Sequence, residues 1–281
     1  MPEPRAVLIT GASKGIGRAT ARRLAGAGFR VFAGVRRVED REALEQDAEQ
    51  ITAVMLDVTD RASIENAARR IGNETETLAG LVNNAGVVVA GPLEALPLDE
   101  IRHQFEVNVF GVIAVTNAML PLLRAGSGRI INVSSINGRI VTPFVTPYGA
   151  SKFALEAISD GMRLELRPWR IPVSVIQPGA VATSIWATST ARVQGNAQRF
   201  DPTLQKRYAR VIEAIKRRGN RAPKHAIEPD RVASVIHRAL TARRPRTRYL
   251  VGLDARIGAV FAAFPDRLTD YVLARRHRSS S

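Results

Sequence analysis

The chain reads as short runs of consecutive apolar, largely β-branched residues separated by longer amphipathic stretches. Arg5–Thr10, Phe29–Val35, Ala53–Leu56, Gly80–Asn83, Gly128–Ser134, Pro172–Gln177 and Thr247–Gly252 are predicted strands. Gly15–Gly26, Val38–Glu49, Asp60–Asn73, most of Pro97–Leu123 and Gly149–Leu166 carry helical spacing, with Gly161 a weak point in the last of them. The strands are apolar throughout rather than alternating, as parallel strands are when helices cover both faces. This order predicts an α/β fold, with about seven strands in one doubly wound parallel sheet and helices on both sides. The 281 residues are read as a single domain, 1–281, long enough to bury a sizeable core.

Two stretches break the repeat. Residues 184–229 are rich in Ala, Arg, Gln and Asn, and a connection of that length is expected to be a functional flap, here over a substrate, or an added subdomain. Residues 253–281 form an extension in which Ile257, Val260, Phe261, Phe264, Leu268, Tyr271, Val272 and Leu273 approximate helical spacing, broken at Pro265. It ends in Arg275, Arg276, His277 and Arg278.

Composition narrows the chemistry. There is no Cys, which removes disulfides, thiolate metal sites and cysteine nucleophiles together. The four His are scattered, so no metal site is expected. The apolar run after the N-terminus is too short for a secretory signal, and the expected setting is cytoplasmic. The formal charge of +15 is uneven: residues 1–200 hold 22 basic against 19 acidic residues, and residues 201–281 hold 19 against 7. The body is near neutral, which argues against a uniformly basic nucleic-acid-binding domain.

The first predicted strand runs into Thr10-Gly11-Ala12-Ser13-Lys14-Gly15-Ile16-Gly17 and then a helix. Glycines there let the backbone turn tightly and approach a pyrophosphate at the helix N-terminus. This gives the fold its Rossmann-type reading. The second strand ends in Arg36 and Arg37, with no carboxylate to take ribose hydroxyls; Arg36 can clamp a 2′-phosphate and Lys14 supply a second charge. Lysine is rare, 5 against 36 Arg, and the two before residue 206 are Lys14 and Lys152, both inside motifs.

Lys152 follows Tyr148 by one helical turn in Tyr148-Gly149-Ala150-Ser151-Lys152. A nearby ammonium favours tyrosinate and is expected to lower the phenol pKa, making Tyr148 a usable general acid or base. The strand before it ends in Ser134 and Ser135, and ligands of parallel sheets sit at the carboxyl ends of strands.

With these motifs, and with Asp57-Val58, Asn83-Asn84-Ala85-Gly86, Asn108, Pro178-Gly179 and Thr183 in order between and after them, the chain resembles the short-chain dehydrogenases/reductases over roughly residues 5–183. The resemblance implies that Tyr148 is the proton donor to a carbonyl or the base for an alcohol, and that Ser135 rather than Ser134 hydrogen-bonds the substrate oxygen. Lys152 would bind the nicotinamide ribose, and Asn108 would hold a water linking Lys152 to solvent. Gly11, Ser13, Lys14, Gly15, Ile16 and Gly17 would cradle the pyrophosphate, and Arg36 and Arg37 the extra phosphate. Asp57 and Val58 would hold the adenine, Asn84, Ala85 and Gly86 the adenosine ribose, and Pro178, Gly179 and Thr183 the carboxamide. The cofactor implied is NADP(H), and a homodimer or homotetramer is implied as the assembly.

The substrate walls are expected from Ile136, Ile140, Val141, Phe144, Val145, Ile185 and Trp186, an apolar set, with Ser135 and Asn137 beside them. Within the family the chain looks most like members acting on retinoids, steroids and other lipid-like alcohols or ketones. The basic region has three readings: a solvated arginine-rich surface, a peripheral membrane contact through the amphipathic tail, and nucleic-acid binding through Lys216, Arg217, Arg218, Arg221 and Lys224. The last ranks lowest, for want of an aromatic platform or reading motif. Two further classes stand against an enzyme: an NADP-binding sensor or scaffold without turnover, and a membrane-tethered protein using the basic tail.

Overall fold

The computed structural model describes residues 5–185, 188, 201–219 and 226–271. Trp186, Arg221, Lys224, Val272, Leu273 and the terminal arginines lie outside the described residues. Seven parallel strands lie in the order β3-β2-β1-β4-β5-β6-β7. They are β1 (Ala6–Ile9), β2 (Arg30–Val35), β3 (Ile51–Met55), β4 (Gly80–Asn83), β5 (Arg129–Val133), β6 (Val173–Pro178) and β7 (Arg248–Val251). Their side chains are buried on both faces, β1, β4 and β6 throughout, as the unbroken apolar runs require. The order reverses between β1 and β4, and at such a switch point the loops leaving the strands part to form a crevice.

The helices are α1 (Gly15–Gly26), α2 (Val38–Glu45), α3 (Arg61–Glu74), α4 (Leu98–Phe105), α5 (Gly111–Ala125), α6 (Thr146–Glu165), α7 (Pro202–Gly219), α8 (Pro229–Thr241) and α9 (Leu253–Phe261). On one face of the sheet Leu24 of α1 and Ile236 and Leu240 of α8 pack over Val7, Ile9 and Val31. On the other, Ile64 and Ile71 of α3 and Val115, Met119 and Leu123 of α5 cover Leu8, Leu81 and Ile130. Leu98–Ala125 runs through α4, a π-turn and α5, and is long and apolar enough to cross a membrane by composition. Half of its apolar window is buried in the protein, as in a core helix.

Most predicted elements fall within a few residues of the observed ones. α2 stops at Glu45 rather than Glu49, because Asp47 turns to meet Arg18, whose Nε and Nη2 donate to it at 2.7 and 3.0 Å. α6 begins three residues earlier than its pattern, at Thr146; Pro147 suits a first helical turn, where no N–H partner is needed. Tyr148 therefore stands in the first turn. Two helices escape the hydrophobic reading. α7 occupies the middle of the long connection, and α8 lies beyond it, with Val232, Ala233, Ile236, Ala239 and Leu240 buried.

Beyond β7, α9 folds back over the carboxyl end of the sheet. Asp254 in its first turn accepts from Ala180 N at 2.6 Å. Its carboxylate is so close to Gly179 that a Cβ there would lie 2.0 Å from Asp254 Oδ1. Gly258, one turn on, meets Ile136, whose Cγ1 would lie 2.7 Å from a Cβ at 258. Pro265 ends this segment, and residues 266–271 are helical again, as the break in the pattern predicts.

Candidate active site

A cleft of about 330 Å³ opens at the carboxyl ends of β1, β2, β4, β5 and β6. One end is the glycine turn. Gly11 (φ 62°) and Gly15 (φ 57°) both take left-handed conformations that favour glycine. Thr10 Oγ1 accepts from the N–H groups of Asn84 and Ala85, both at 3.0 Å, and Asn84 Nδ2 donates back to the carbonyls of Thr10 and Gly11 at 3.0 and 2.9 Å. The loops after β1 and β4 are thus one hydrogen-bonded unit. Thr183 closes over it, its Cγ2 3.0 Å from where a Cβ at residue 15 would stand.

Beside this turn Lys14, Arg36 and Arg37 line the cleft with Asp40 and Asp57. Burial pushes the Asp57 carboxyl up, but the Thr59 N–H and hydroxyl, with attraction from Arg36 and His103, outweigh that and hold it below its ordinary value.

At the other end stand Ser135, Tyr148 and Lys152. Ser135 follows β5 and accepts from Asn137 N at 3.1 Å, which ties down the turn at 136–138. Its hydroxyl is hydrogen-bonded to Tyr148. Lys152 Nζ donates to Val133 O at 2.9 Å and lies 5.7 Å from the Tyr148 ring centroid. The spacing of Tyr148 and Lys152 predicts a lowered phenol pKa, and the structure reverses this. Burial pushes Tyr148 up to about 12, against the smaller opposing effect of Ser135, and burial pushes Lys152 down to about 8. Enclosure disfavours charge on both groups.

Of the residues singled out from the sequence, Gly11, Ser13, Lys14, Gly15, Ile16, Arg36, Arg37, Asp57, Val58, Asn84, Ala85, Gly86, Ser135, Tyr148, Lys152, Pro178, Gly179, Thr183 and Ile185 line this one cleft. Others do not. Gly17 lies behind the turn, where a Cβ would meet Gly11 O at 2.3 Å. Asn108 is fully buried in the π-turn Glu106–Phe110; its Nδ2 donates to Val87 O and Ser151 Oγ, both at 3.0 Å, and its Oδ1 accepts from Val87 N at 2.9 Å. It fastens the loop after β4 to α6. Ile136 turns toward α9, Asn137 is buried within its own turn, and Phe144, in a left-handed conformation (φ 67°), accepts from Gly91 N at 2.7 Å.

Of the expected walls Val145 and Ile185 do stand around Tyr148, and the others there come from elsewhere. Val88, Ala90 and Val145 form a cluster with its ring, and Ile185 with Leu204 and Tyr208 of α7 packs against that cluster. Tyr208 and Arg207 both reach Glu94, the tyrosine by a hydrogen bond and the arginine at 3.7 Å, so α7 is fastened across the mouth. The signal for α7 is the amphipathic spacing of Leu204 and Tyr208 within the long connection. Among the described residues no group of His, Asp and Glu is arranged to hold a metal.

A crevice at the switch point of a parallel sheet, with a glycine turn at one end and a hydroxyl, phenol and ammonium at the other, defines an oxidoreductase of the Rossmann type. The family model for short chain dehydrogenases matches residues 5–194, and the chain belongs to that family. Retinol dehydrogenase 5 of Mus musculus is 36% identical over 279 residues, covering 95% of this chain and 87% of the relative. NADPH-dependent 3-dehydrocapnine reductase of Ornithobacterium rhinotracheale is 32% identical, covering 95% of each. A short chain dehydrogenase from Burkholderia cenocepacia, solved with NADP, superposes with a TM-score of 0.76 at 26% identity, covering 96% of this chain and 98% of that one. Membership makes the protein an oxidoreductase that interconverts alcohol and carbonyl groups of a small molecule with a nicotinamide cofactor.

Proposed function

We propose that the protein is an NADP(H)-dependent dehydrogenase/reductase for an apolar, lipid-like alcohol and its ketone or aldehyde, with Tyr148 as general acid and base. The observation carrying this is the convergence of Ser135, Tyr148 and Lys152 on a cleft whose far end holds Lys14, Arg36 and Arg37. The residues present suit the cofactor. The glycine turn leaves backbone room for a pyrophosphate, Asp57 and Val58 flank an adenine position, and the guanidinium of Arg36 offers a bidentate contact for a 2′-phosphate. Gly179 and Thr183 would hold the carboxamide, and Lys152 the adjoining ribose.

Bound NADPH would supply the hydride. The chain's own part is to orient and polarise. Ser135 Oγ takes the Asn137 N–H, so its own hydrogen is free to be donated to a substrate oxygen or to the Tyr148 oxygen. Tyr148 is held protonated by burial, the form that donates a proton to a carbonyl oxygen as it gains charge. The apolar walls, Val88, Ala90, Val145, Ile185, Leu204 and Tyr208, would exclude water and favour a hydrocarbon substrate. The retinol dehydrogenase among the relatives supports the substrate class, and the NADPH-dependent reductase supports the cofactor.

A screen of NADPH consumption over ketones and aldehydes of graded size tests this, run in parallel with NADH. Turnover is expected to rise with apolar bulk, with kcat/KM at least about tenfold higher for NADPH, as expected of a charge-assisted phosphate contact. Preference for NADH, or for small polar carbonyls, would overturn the reading.

We also propose a peripheral membrane contact through α9 and residues 266–271. Leu253 (71% exposed), Ile257, Val260 (60%), Phe264, Leu268 and Tyr271 are exposed, with Arg256 and Arg267 exposed between them. Asp254, Asp266 and Asp270 are exposed there too, but with Arg275, Arg276 and Arg278 the extension holds five arginines against three aspartates, and an apolar face so charged suits an anionic lipid surface. The protein is expected to float with phosphatidylserine-containing vesicles but not with pure phosphatidylcholine, and Val260→Glu with Phe264→Glu is expected to abolish flotation. Equal behaviour of the wild type with both vesicles would refute the contact.

A further inference from the structure

The face of the sheet beneath α6 carries polar side chains at the carboxyl ends of β5 and β6. Ser134 N donates to Ile176 O at 2.8 Å, which sets Ser134 beside Gln177. Arg248 of β7 pairs with Val175, two residues before Gln177, so its side chain lies on that same face. It crosses to α6, where Nε donates to Glu156 at 2.9 Å and Nη2 to Asp160 at 2.7 Å. Gly138 sits at the meeting point: a Cβ there would lie 2.9 Å from Ser134 Oγ, 3.0 Å from Glu156 Cγ and 3.1 Å from Lys152 O.

Ser134, Gln177 and Glu156 are 4%, 0% and 7% exposed. Ser134 Oγ, both polar side-chain atoms of Gln177, and Glu156 Oε1 have no hydrogen-bond partner among the described residues. Buried polar atoms are nearly always paired, and several gathered in one place mark a polar chamber that water completes. Ser134 also lines the cleft, so the chamber adjoins the reacting groups.

We propose that Glu156 is a positioning residue for the reaction: anchored to Arg248 by one oxygen and turned into the Ser134–Gln177 chamber by the other, its carboxylate keeps Lys152, one helical turn away, in the ammonium form. This rests on the role proposed above for Lys152 and Tyr148. Residues four apart on a helix share a face. Burial lowers the Lys152 pKa to about 8, and Glu156 is the group that opposes the fall. The charged groups facing Glu156 are Lys152 on its own helix and Arg248 on β7, with Asp160 sharing that arginine. Around it β5, β6 and the 136–138 turn contribute Ser134, Gln177 and Gly138, none of them titratable.

The test is the alkaline limb of kcat/KM for ketone reduction, set beside the pH dependence with which trace acetic anhydride labels Lys152 in the cofactor-free protein. Glu156→Gln removes the negative charge, so both curves should move to lower pH by about one unit. Arg248→Gln frees the carboxylate from its counter-charge, so both should move to higher pH. Opposite shifts establish the role, since a residue that only supports the fold would lower turnover without moving either curve. Folded variants, checked by thermal unfolding, whose curves coincide with the wild type or move in the same direction would overturn it. Should Glu156→Gln not fold, Arg248→Gln decides alone: a rise supports the proposal and an unmoved curve refutes it. If Tyr148→Phe keeps turnover, the reading of the site fails, and the labelling curve still decides Glu156.

Discussion

Tyr148→Phe is expected to lower turnover by about 10³-fold or more while leaving the fold and cofactor binding in place, in line with the worth of a positioned proton donor. The ring is 7% exposed and packs against Val88, Ala90 and Val145, contacts that phenylalanine keeps. Only the hydroxyl is lost, and with it the partner of the Ser135 hydroxyl and the proton for the carbonyl oxygen. The glycine turn, Arg36 and Asp57 lie at the other end of the cleft and are untouched. NADPH oxidation measures the first effect, and a fluorescence titration with NADPH measures the second. A variant retaining most of its activity would remove Tyr148 from the chemistry, and one that no longer bound NADPH would show the loss to be structural.

Gly17→Ala should be nearly as damaging by a different route. A Cβ at residue 17 would lie 2.3 Å from Gly11 O, 2.6 Å from Asn84 Nδ2 and 2.9 Å from Ala12 Cα. Two of these are backbone atoms of the turn itself, and the third belongs to the amide that holds the Thr10 and Gly11 carbonyls. None can yield without opening the turn. We expect a stability loss of about 1–3 kcal/mol, typical of overpacking, and roughly a hundredfold loss of NADPH affinity. Gly72, in the last turn of α3, is the control, since nothing lies within 4 Å of its Cβ position. Gly72→Ala should raise stability by about 0.5–1 kcal/mol through helix propensity alone and leave binding unchanged. Denaturant titrations of the two variants check the contrast, and equal behaviour would sink it.

The layered sheet was legible because parallel strands buried on both sides must be apolar throughout, and the first six predicted runs alternate with amphipathic ones. The glycine turn, Tyr148 and Lys152 were legible because their spacing is set locally, by one turn of chain or helix. α8 was missed although Val232, Ala233, Ile236, Ala239 and Leu240 repeat at helical intervals. Its apolar face is built partly from alanine, which marks neither core nor surface, and it is interleaved with arginine. The residues packed around Tyr148 were only partly legible for a more general reason. An apolar side chain declares that it will be covered, not by what: Ile136 is covered by Gly258 of α9, and the ring of Tyr148 by residues from α7 and from the loop after β4. The direction of the Tyr148 pKa escaped because spacing shows a neighbouring ammonium and says nothing of how completely both groups are enclosed.

The carboxylate of Asp254 reaches further than its own helix. It occupies the space that a side chain at residue 179 would need, and also lies 2.5 Å from where a Cβ at Gly252 would stand. Residue 254 is therefore coupled to position 179 by space, and position 252 is held to glycine by its own φ of 106° as well. Any lineage or library that enlarges residue 179, at the rim of the cleft, must displace or shrink the side chain of residue 254 at the root of the C-terminal extension. A substitution harmful in this background would be harmless in one already carrying glycine at 254. The order in which changes arise there would decide which of them survive.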